Sequence, residues 1–290
     1  MKRKAFNLIW ILVLLGVGSQ IYMRSNTGKV SPPSDLKIVG SVEIKDGDML
    51  ERDVIPQLCL TFGLEEQEVQ EILSQPRSSF LINEDLVDFR RLEGIFLPSQ
   101  YYISASDTLE EWCNHMVELA ESRYTALCAN EANLNSLKPE DQMILASIVE
   151  AECLANKHYQ ETAAVFLNRL ADQNALQSCV TAEYALGFQR AFLYEDDISM
   201  VSPYNTYVVS GLPAGPICCV DDDSFKAAIR PSEDPSLYFF FYDYLQNEMF
   251  FYADYTLFER EAVASRNRFI LNPPVGLGDK INKQALFGVQ

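Results

Sequence analysis

The chain has almost no histidine. His115 and His158 are the only two in 290 residues. They stand far apart, and neither has Cys or Glu at ligand spacing. A zinc site or a Ser-His-Asp triad therefore has little to be built from. Basic residues are scarce as well: 23 Lys and Arg face 41 Asp and Glu, a net charge of −18. No basic patch stands out, which argues against nucleic acid as a partner. The excess of acid itself reads as solvated surface. No G-x-G-x-x-G, P-loop or G-x-S-x-G pattern occurs, so the loops that serve dinucleotides, nucleoside triphosphates and serine hydrolases are missing. No cofactor and no metal is expected. Internal repeats are absent.

Apolar residues, in contrast, make up 48% of the chain, enough to bury a substantial core in one or two domains. The longest apolar run comes first. In MKRKAFNLIWILVLLGVGSQIYMRSN, Lys2, Arg3 and Lys4 precede an apolar stretch over residues 6–23. As a helix it would rise roughly 27 Å, close to the thickness of a hydrocarbon core. The basic cluster then predicts a single-pass anchor in the inner (cytoplasmic) membrane, with the rest of the chain outside the cytoplasm. A signal peptide cleaved near Gly16-Val17-Gly18 is the competing reading. The run holds no Cys, which argues against a lipoprotein. The seven cysteines, Cys59, Cys113, Cys128, Cys153, Cys179, Cys218 and Cys219, are odd in number. Adjacent Cys218 and Cys219 do not readily bridge each other. Most of the seven read as small buried hydrophobes, not as a disulfide framework.

The expected fold class is α+β, with an N-terminal transmembrane helix, a small α+β subdomain and a larger mixed α/β domain. Residues 1–24 form the cytoplasmic stub and anchor. Polar, Pro-rich SNTGKVSPPSD places a linker over 25–36. KIVGSVEI reads as a strand, and MLERDVIPQLCLTFG and residues 64–73 read as helices; together they give a small unit over 37–91. Residues 92–137 hold an aromatic bridging segment, LEGIFLPSQYYI, and an amphipathic helix over 108–126. The larger domain, 138–271, opens at Lys138-Pro139-Glu140-Asp141. There the proline suits a first helical turn and the acids suit the positive end of the helix dipole. Helices over 159–172 and near 224–229 and the strands SLYFFFYDY and EMFFYADY follow. Residues 272–290 are a tail.

The helix that opens this domain ends in LASIVEAE, with Glu150 and Glu152 closing an apolar run. Residues two apart on a helix point to nearly opposite sides, so the two glutamates cannot line one pocket. At about 100° per residue, Leu145, Ile148 and Val149 fall within about 60° of Glu152. Glu150 falls beside Met143, Ser147 and Leu154, a more mixed face. Glu152 is thus the acid on the apolar stripe. Its carboxyl should have a raised pKa, as a general acid needs. From the helix alone, a structural pairing of Glu152 with a buried Arg or Lys stands equally beside catalysis.

Further motifs follow in order: ETAAVFLNRL (161–170), LQSCVTAEYALG (176–187), SPYNTYVVSGLPAGPI (202–217) and AAIRPSEDPSLYFF (227–240), with LEGIFLPSQYY upstream. Together with LASIVEAE they closely resemble the endolytic murein transglycosylases over most of residues 37–260. The last segment resembles that family's LEGxLFPDTY. The small α+β unit looks like a shortened form of its LysM-like subdomain, and the N-terminal run matches its single-pass topology. The resemblance implies a lyase that cleaves the β-1,4 bond between N-acetylmuramic acid and N-acetylglucosamine in nascent glycan strands, leaving 1,6-anhydromuramic ends. The implied partners are peptidoglycan strands and proteins of cell-wall synthesis. The family's catalytic glutamate, the second of its E-x-E pair, falls on Glu152.

The same resemblance implies secondary or substrate-binding roles for Glu150, Asn168, Arg169, Gln177, Thr181, Tyr184, Tyr204, Asn205, Thr206 and Tyr207. It gives Gly211, Pro213 and Gly215 the role of a rigid turn that brings backbone close to substrate. For the tyrosines core packing is the competing reading, and for Asn168 and Arg169 it is capping or bridging of neighbours. Three departures bear on activity. The family's DPTVxY is here Cys179-Val180-Thr181-Ala182-Glu183-Tyr184, without the Asp and the Pro. Its C-terminal His is replaced around Glu248-Met249-Phe250. Cys218-Cys219-Val220-Asp221 follows GLPAGPI in place of an Asn-Pro-Gly-like turn. A catalytically degenerate wall-binding or scaffold protein on the same fold is therefore the alternative.

Overall fold

In IVGSVEI every second side chain turns inward, and Val42 and Ile44 are buried while Glu43 is exposed. This two-residue alternation makes a strand with one wet face. The computed structural model describes residues 22–23, 37–129, 135–153, 157–190 and 192–271. Within them the strand is β2 (Ile38–Ile44), and it pairs antiparallel with β3 (Ser99–Ser104), Val42 opposite Tyr101. On the other side of β3 lies the two-residue β1 (Tyr22–Met23), giving the order β1-β3-β2. Tyr22 and Met23 are the last two residues of the expected membrane span. Its residues 6–21, the linker over 25–36 and the tail over 272–290 lie outside the described residues. Among the described residues no helix is long and apolar enough to cross a membrane.

A π-helical turn, Leu50–Val54, leads into α1 (Ile55–Phe62), and α2 (Glu66–Leu73) follows. α3 (Leu109–Cys128) starts at a capping box in which Thr108 and Glu111 satisfy each other's backbone N–H groups. Trp112 of α3 sits edge-on to Phe96 and Tyr101. This ties the helix to the sheet. β3 comes from the expected bridging segment over 92–137, so the expected boundary at residue 91 runs through a sheet. The aromatic run that reads as a bridge is the strand that completes it. One continuous apolar cluster then extends from Val42 to Met249, which joins the small unit and the larger one.

The larger part is built around α4 (Pro139–Glu152), buried continuously from Gln142 to Val149. A helix apolar on all sides is a central helix. α5 (Tyr159–Ala171) and α8 (Asp222–Ile229) pack against it, with α6 (Cys179–Leu186) and the short α7 (Glu195–Ile198) at one end. β4 (Phe239–Asp243) and β5 (Glu248–Tyr252) form an antiparallel hairpin covered by α9 (Tyr255–Leu271). Burial alone would raise the Asp243 carboxyl. Hydrogen bonds from Ser265, Arg268 and Gln246 overcome that and hold it below the ordinary carboxylate range, pinning α9 to the hairpin. No disulfide joins the seven cysteines. Cys113, Cys153, Cys218 and Cys219 are buried, Cys59 and Cys128 are half-buried and Cys179 is exposed.

Two glycines interlock distant segments. Gly94 has φ +77°, and a Cβ there would stand 2.8 Å from Cβ of Pro216. A Cβ on Gly215 would stand 2.7 Å from Cδ1 of Leu86 and 3.1 Å from the Tyr204 hydroxyl. The LEG segment and the GLPAGP turn therefore press backbone to side chain with no room for a methyl group.

Candidate active site

Because α4 is buried on every side, the apolar stripe does not by itself separate its two glutamates by burial; their partners do. Glu150 points to the N-terminus of α8, where its Oε2 accepts from the Ser224 hydroxyl at 2.6 Å and from the Asp221 backbone N–H at 3.1 Å. Burial raises its pKa, and the charge of Asp221 adds to the rise. Glu152, the last residue of α4, points to the start of α6. Its Oε1 accepts from the Ser178 hydroxyl at 2.6 Å. Burial pushes the Glu152 carboxyl up to about 7. Hydrogen bonds from Ser178 and from the Val180 backbone N–H pull it down, and the charge of Glu183 pushes it further up. Glu183 is itself buried, its Oε1 accepting from the Arg190 backbone N–H at 3.0 Å, and its pKa is raised by burial. Neither Arg nor Lys forms an ion pair with Glu152 among the described residues.

Around this carboxyl stand Cys179, whose Sγ lies 3.2 Å from the Tyr207 hydroxyl, and Tyr244 in the hairpin turn. Both tyrosines have pKa values raised mainly by burial, and each also feels the charge of Glu152. Beyond Tyr244 runs an aromatic groove of about 270 Å³ that includes Phe192, Phe241, Phe269 and Arg266. Met249 is buried beneath α5, its sulfur 4.0 Å from the Thr162 hydroxyl. It brings no titratable group to the site.

Most of the residues expected to touch sugar are used to build the wall instead. Arg169 donates to Ala175 O, Tyr238 O and Gln177 Oε1, the last at 2.9 Å. Asn168 donates to the carbonyls of Asp234 and Leu237. Asn205 is fully buried and donates to the carbonyls of Ile198 and Met200. Thr181 and Thr206 are fully buried and bond each other at 2.8 Å. Tyr184 donates to Glu93 at 2.9 Å, with its ring 4.8 Å from that of buried Tyr204. Gly215 and Pro213 are buried, and Gly211 is half-buried. For Arg169, Asn168, Asn205, Thr181 and Thr206 the reason is common: a polar loop that crosses an apolar core must satisfy its backbone groups internally, and these side chains do so. Glu152 and Tyr207, and Gln177 by its exposed position, are the expected site residues left facing the open side.

Two residues were not legible beforehand. Ser178 is one; a serine before a helix signals only a cap. Glu93 is the other, buried in the LEG segment, where it accepts from the Leu50 backbone N–H at 3.0 Å and from Tyr184. Burial pushes it up to about 8.

The half-buried Glu152 carboxyl, raised to about 7, thus lies near Tyr244, which also lines the aromatic groove. The chain belongs to the YceG-like family, whose pattern it matches over residues 39–264. It is 33% identical over 149 residues to the endolytic murein transglycosylase of Bacillus subtilis (strain 168), a match covering 51% of this chain and 41% of that one. It is 32% identical over 154 residues to the endolytic murein transglycosylase of Streptococcus pneumoniae (strain ATCC BAA-255 / R6), covering 51% of this chain and 28% of that one. The matches thus span less than half the length of these curated relatives. The crystal structure of a YceG-like protein from Listeria monocytogenes shares the fold with a TM-score of 0.66 at 23% identity, over 76% of this chain and 75% of that one.

Proposed function

We propose that the protein is a peptidoglycan lytic transglycosylase that cleaves glycan strands internally, with Glu152 as both acid and base. The observation that carries this reading is the Glu152 carboxyl, raised to about 7 at the end of α4 and, among the described residues, in no ion pair. A carboxyl with that pKa is substantially protonated at neutral pH and can donate to the glycosidic oxygen between N-acetylmuramic acid and N-acetylglucosamine. The C1–O bond breaks, and the substrate's own N-acetyl group stabilises the cationic sugar. The resulting carboxylate then takes the proton of the muramic C6 hydroxyl, whose oxygen bonds to C1 and closes a 1,6-anhydro ring. No water is consumed, so a second carboxylate to activate water is not required, unlike in ordinary glycoside hydrolysis. The apolar run ahead of β1, residues 6–21, anchors the chain in the cytoplasmic membrane with this site outside the cytoplasm, next to newly made strands and the proteins that make them. The sheet of β2 and β3 with α1 and α2 forms the LysM-like part and residues 138–271 the catalytic part.

The test is digestion of purified peptidoglycan by the full chain in detergent, with products identified by mass spectrometry. Muropeptides ending in 1,6-anhydromuramic acid are expected. Glu152→Gln should lower the rate at least about 10²- to 10⁴-fold, the scale of one general acid–base group; Glu150→Gln, a change beside α8, should cost far less. Reducing muramic ends would make water the nucleophile and overturn the single-carboxylate mechanism. Retained wall binding without any cleavage would favour the degenerate scaffold, with Cys179 in place of the family's Asp as its mark.

A further inference from the structure

Ser178 occupies the N-cap of α6, yet its side chain makes no capping bond. A serine there ordinarily accepts from a backbone N–H of the first turn. Here the hydroxyl donates outward, to Oε1 of Glu152 at 2.6 Å. The Val180 backbone N–H, in that first turn, favours the charged form of the same carboxyl. Glu152 has thus taken over part of the cap, and the serine has been diverted to hold Glu152.

The residues around Ser178 fix it so that it can do nothing else. Its backbone N–H donates to Thr206 Oγ1 at 3.0 Å, and its carbonyl accepts from Thr181 Oγ1 at 2.7 Å. Thr181 Oγ1 has then used its proton, and it also accepts from the Thr206 backbone N–H at 3.2 Å. The 2.8 Å contact between the two threonine hydroxyls must therefore run from Thr206 to Thr181. Every donor in this closed set is assigned, all three residues are buried, and only the Ser178 hydroxyl points out of the ring. Gln177, with φ 51°, is held to Thr206 O at 3.1 Å and to Arg169, which fixes the approach to Ser178.

We propose that Ser178 is a positioning residue for the catalytic acid: its hydroxyl, aimed by the Thr181–Thr206 ring, holds Glu152 Oε1 so that Oε2 carries the proton delivered to the leaving oxygen. While the hydroxyl donates to Oε1, that oxygen cannot also present a proton along the same direction. The Ser178 bond thus favours the acid form that carries its proton on Oε2. In the second half of the reaction the same bond stabilises the carboxylate that awaits the C6 proton. This assignment rests on the proposed function above. The other titratable groups facing Glu152 are Glu183 and Cys179 on α6, Tyr207 in the turn after Pro203, Tyr244 in the hairpin turn and Cys153 just beyond α4. Among the described residues Ser178 is the side chain that hydrogen-bonds Glu152.

Ser178→Ala removes the hydroxyl but leaves the backbone bonds to Thr206 and Thr181. In the full chain it should lower kcat about 10- to 100-fold with KM nearly unchanged, the scale of a misaligned catalytic group. The alkaline limb of the rate profile should move up by about 0.5–1 pH unit, because a donor to the charged form has gone. Ser178→Thr should restore both. Infrared titration of the protonated-carboxyl band, taken as the difference from Glu152→Gln, should show the same upward movement of the Glu152 midpoint. If Ser178→Ala unfolds, Ser178→Cys, a weak donor of similar size, should shift the midpoint upward by less. An unmoved midpoint, an effect on KM alone, or a threonine variant as poor as alanine would overturn the assignment. Absence of anhydro products from the unaltered protein would defeat the proposed function instead, and the infrared midpoint would still decide the role of Ser178.

Discussion

In the proposed mechanism a single acid both gives and takes a proton, and opposing neighbours set its poise. Burial and the charge of Glu183 favour the protonated Glu152, and Ser178 and the Val180 N–H favour the carboxylate. Removing a neighbour from one side or the other should move the rate profile in opposite directions. Glu183→Gln removes a like charge, so the Glu152 pKa should fall and activity should be lost at lower pH than in the unaltered protein. Rate against pH for the two proteins checks this; an alkaline limb that stays in place or rises would show that Glu183 does not act on Glu152. At this scale Glu152 was legible because a carboxyl in an apolar run is costly and so calls for a reason. The resemblance offers catalysis as that reason, and the proposed function rests on it. Thr181, Asn205 and Thr206 were legible as important but not as what they are. A hydroxyl or an amide looks the same in a sequence whether it faces a sugar or closes a buried ring.

At the scale of elements, strong periodicity was readable and contact-driven structure was not. α4, α5 and the two strands of the hairpin followed from apolar patterning and a proline at a helix start. β3 hid in LEGIFLPSQYYI because its partner β2 lies far away in sequence. α9 hid because its apolar residues do not gather on one stripe, and it is held by Asp243 from another element. α6 begins at a serine whose cap is borrowed from α4. The glycine contacts are equally invisible in one segment alone. Gly94→Ala should destabilise the fold by about 1–3 kcal/mol for overpacking against Pro216, on top of about 1–2 kcal/mol for the left-handed backbone. Gly47 shares φ +77° but has nothing within 4 Å of its missing Cβ. Gly47→Ala should therefore show only the backbone part. Midpoints of urea unfolding measure both; equal losses at the two positions would mean that the Pro216 contact yields without strain.

For the whole molecule, the decisive fact is the single apolar cluster from Val42 to Met249. The expected division at residue 91 was drawn between a strand–helix unit and an aromatic segment, but cores are continuous in space and not in sequence. Glu93 sits within this joint, accepting from Leu50 on one side and from Tyr184 of α6 on the other. Its folded-state pKa, about 8, lies above the ordinary 4.5. The folded protein thus binds this proton more tightly than the unfolded chain does. The contribution is fully present below about pH 4.5 and is lost as pH rises through about 8. Glu93→Gln, which never carries the charge, should lose less stability than the unaltered protein between pH 5 and pH 8. Thermal unfolding across that window tests it, and parallel curves for the two proteins would rule it out.

The contact between Gly94 and Pro216 has a heritable side. Two positions far apart in the chain share one small volume, so a side chain can grow at 94 only if the proline ring at 216 gives way. They form a single unit for variation: changes at either are admissible in pairs, and a crossover falling between them would join halves that no longer fit.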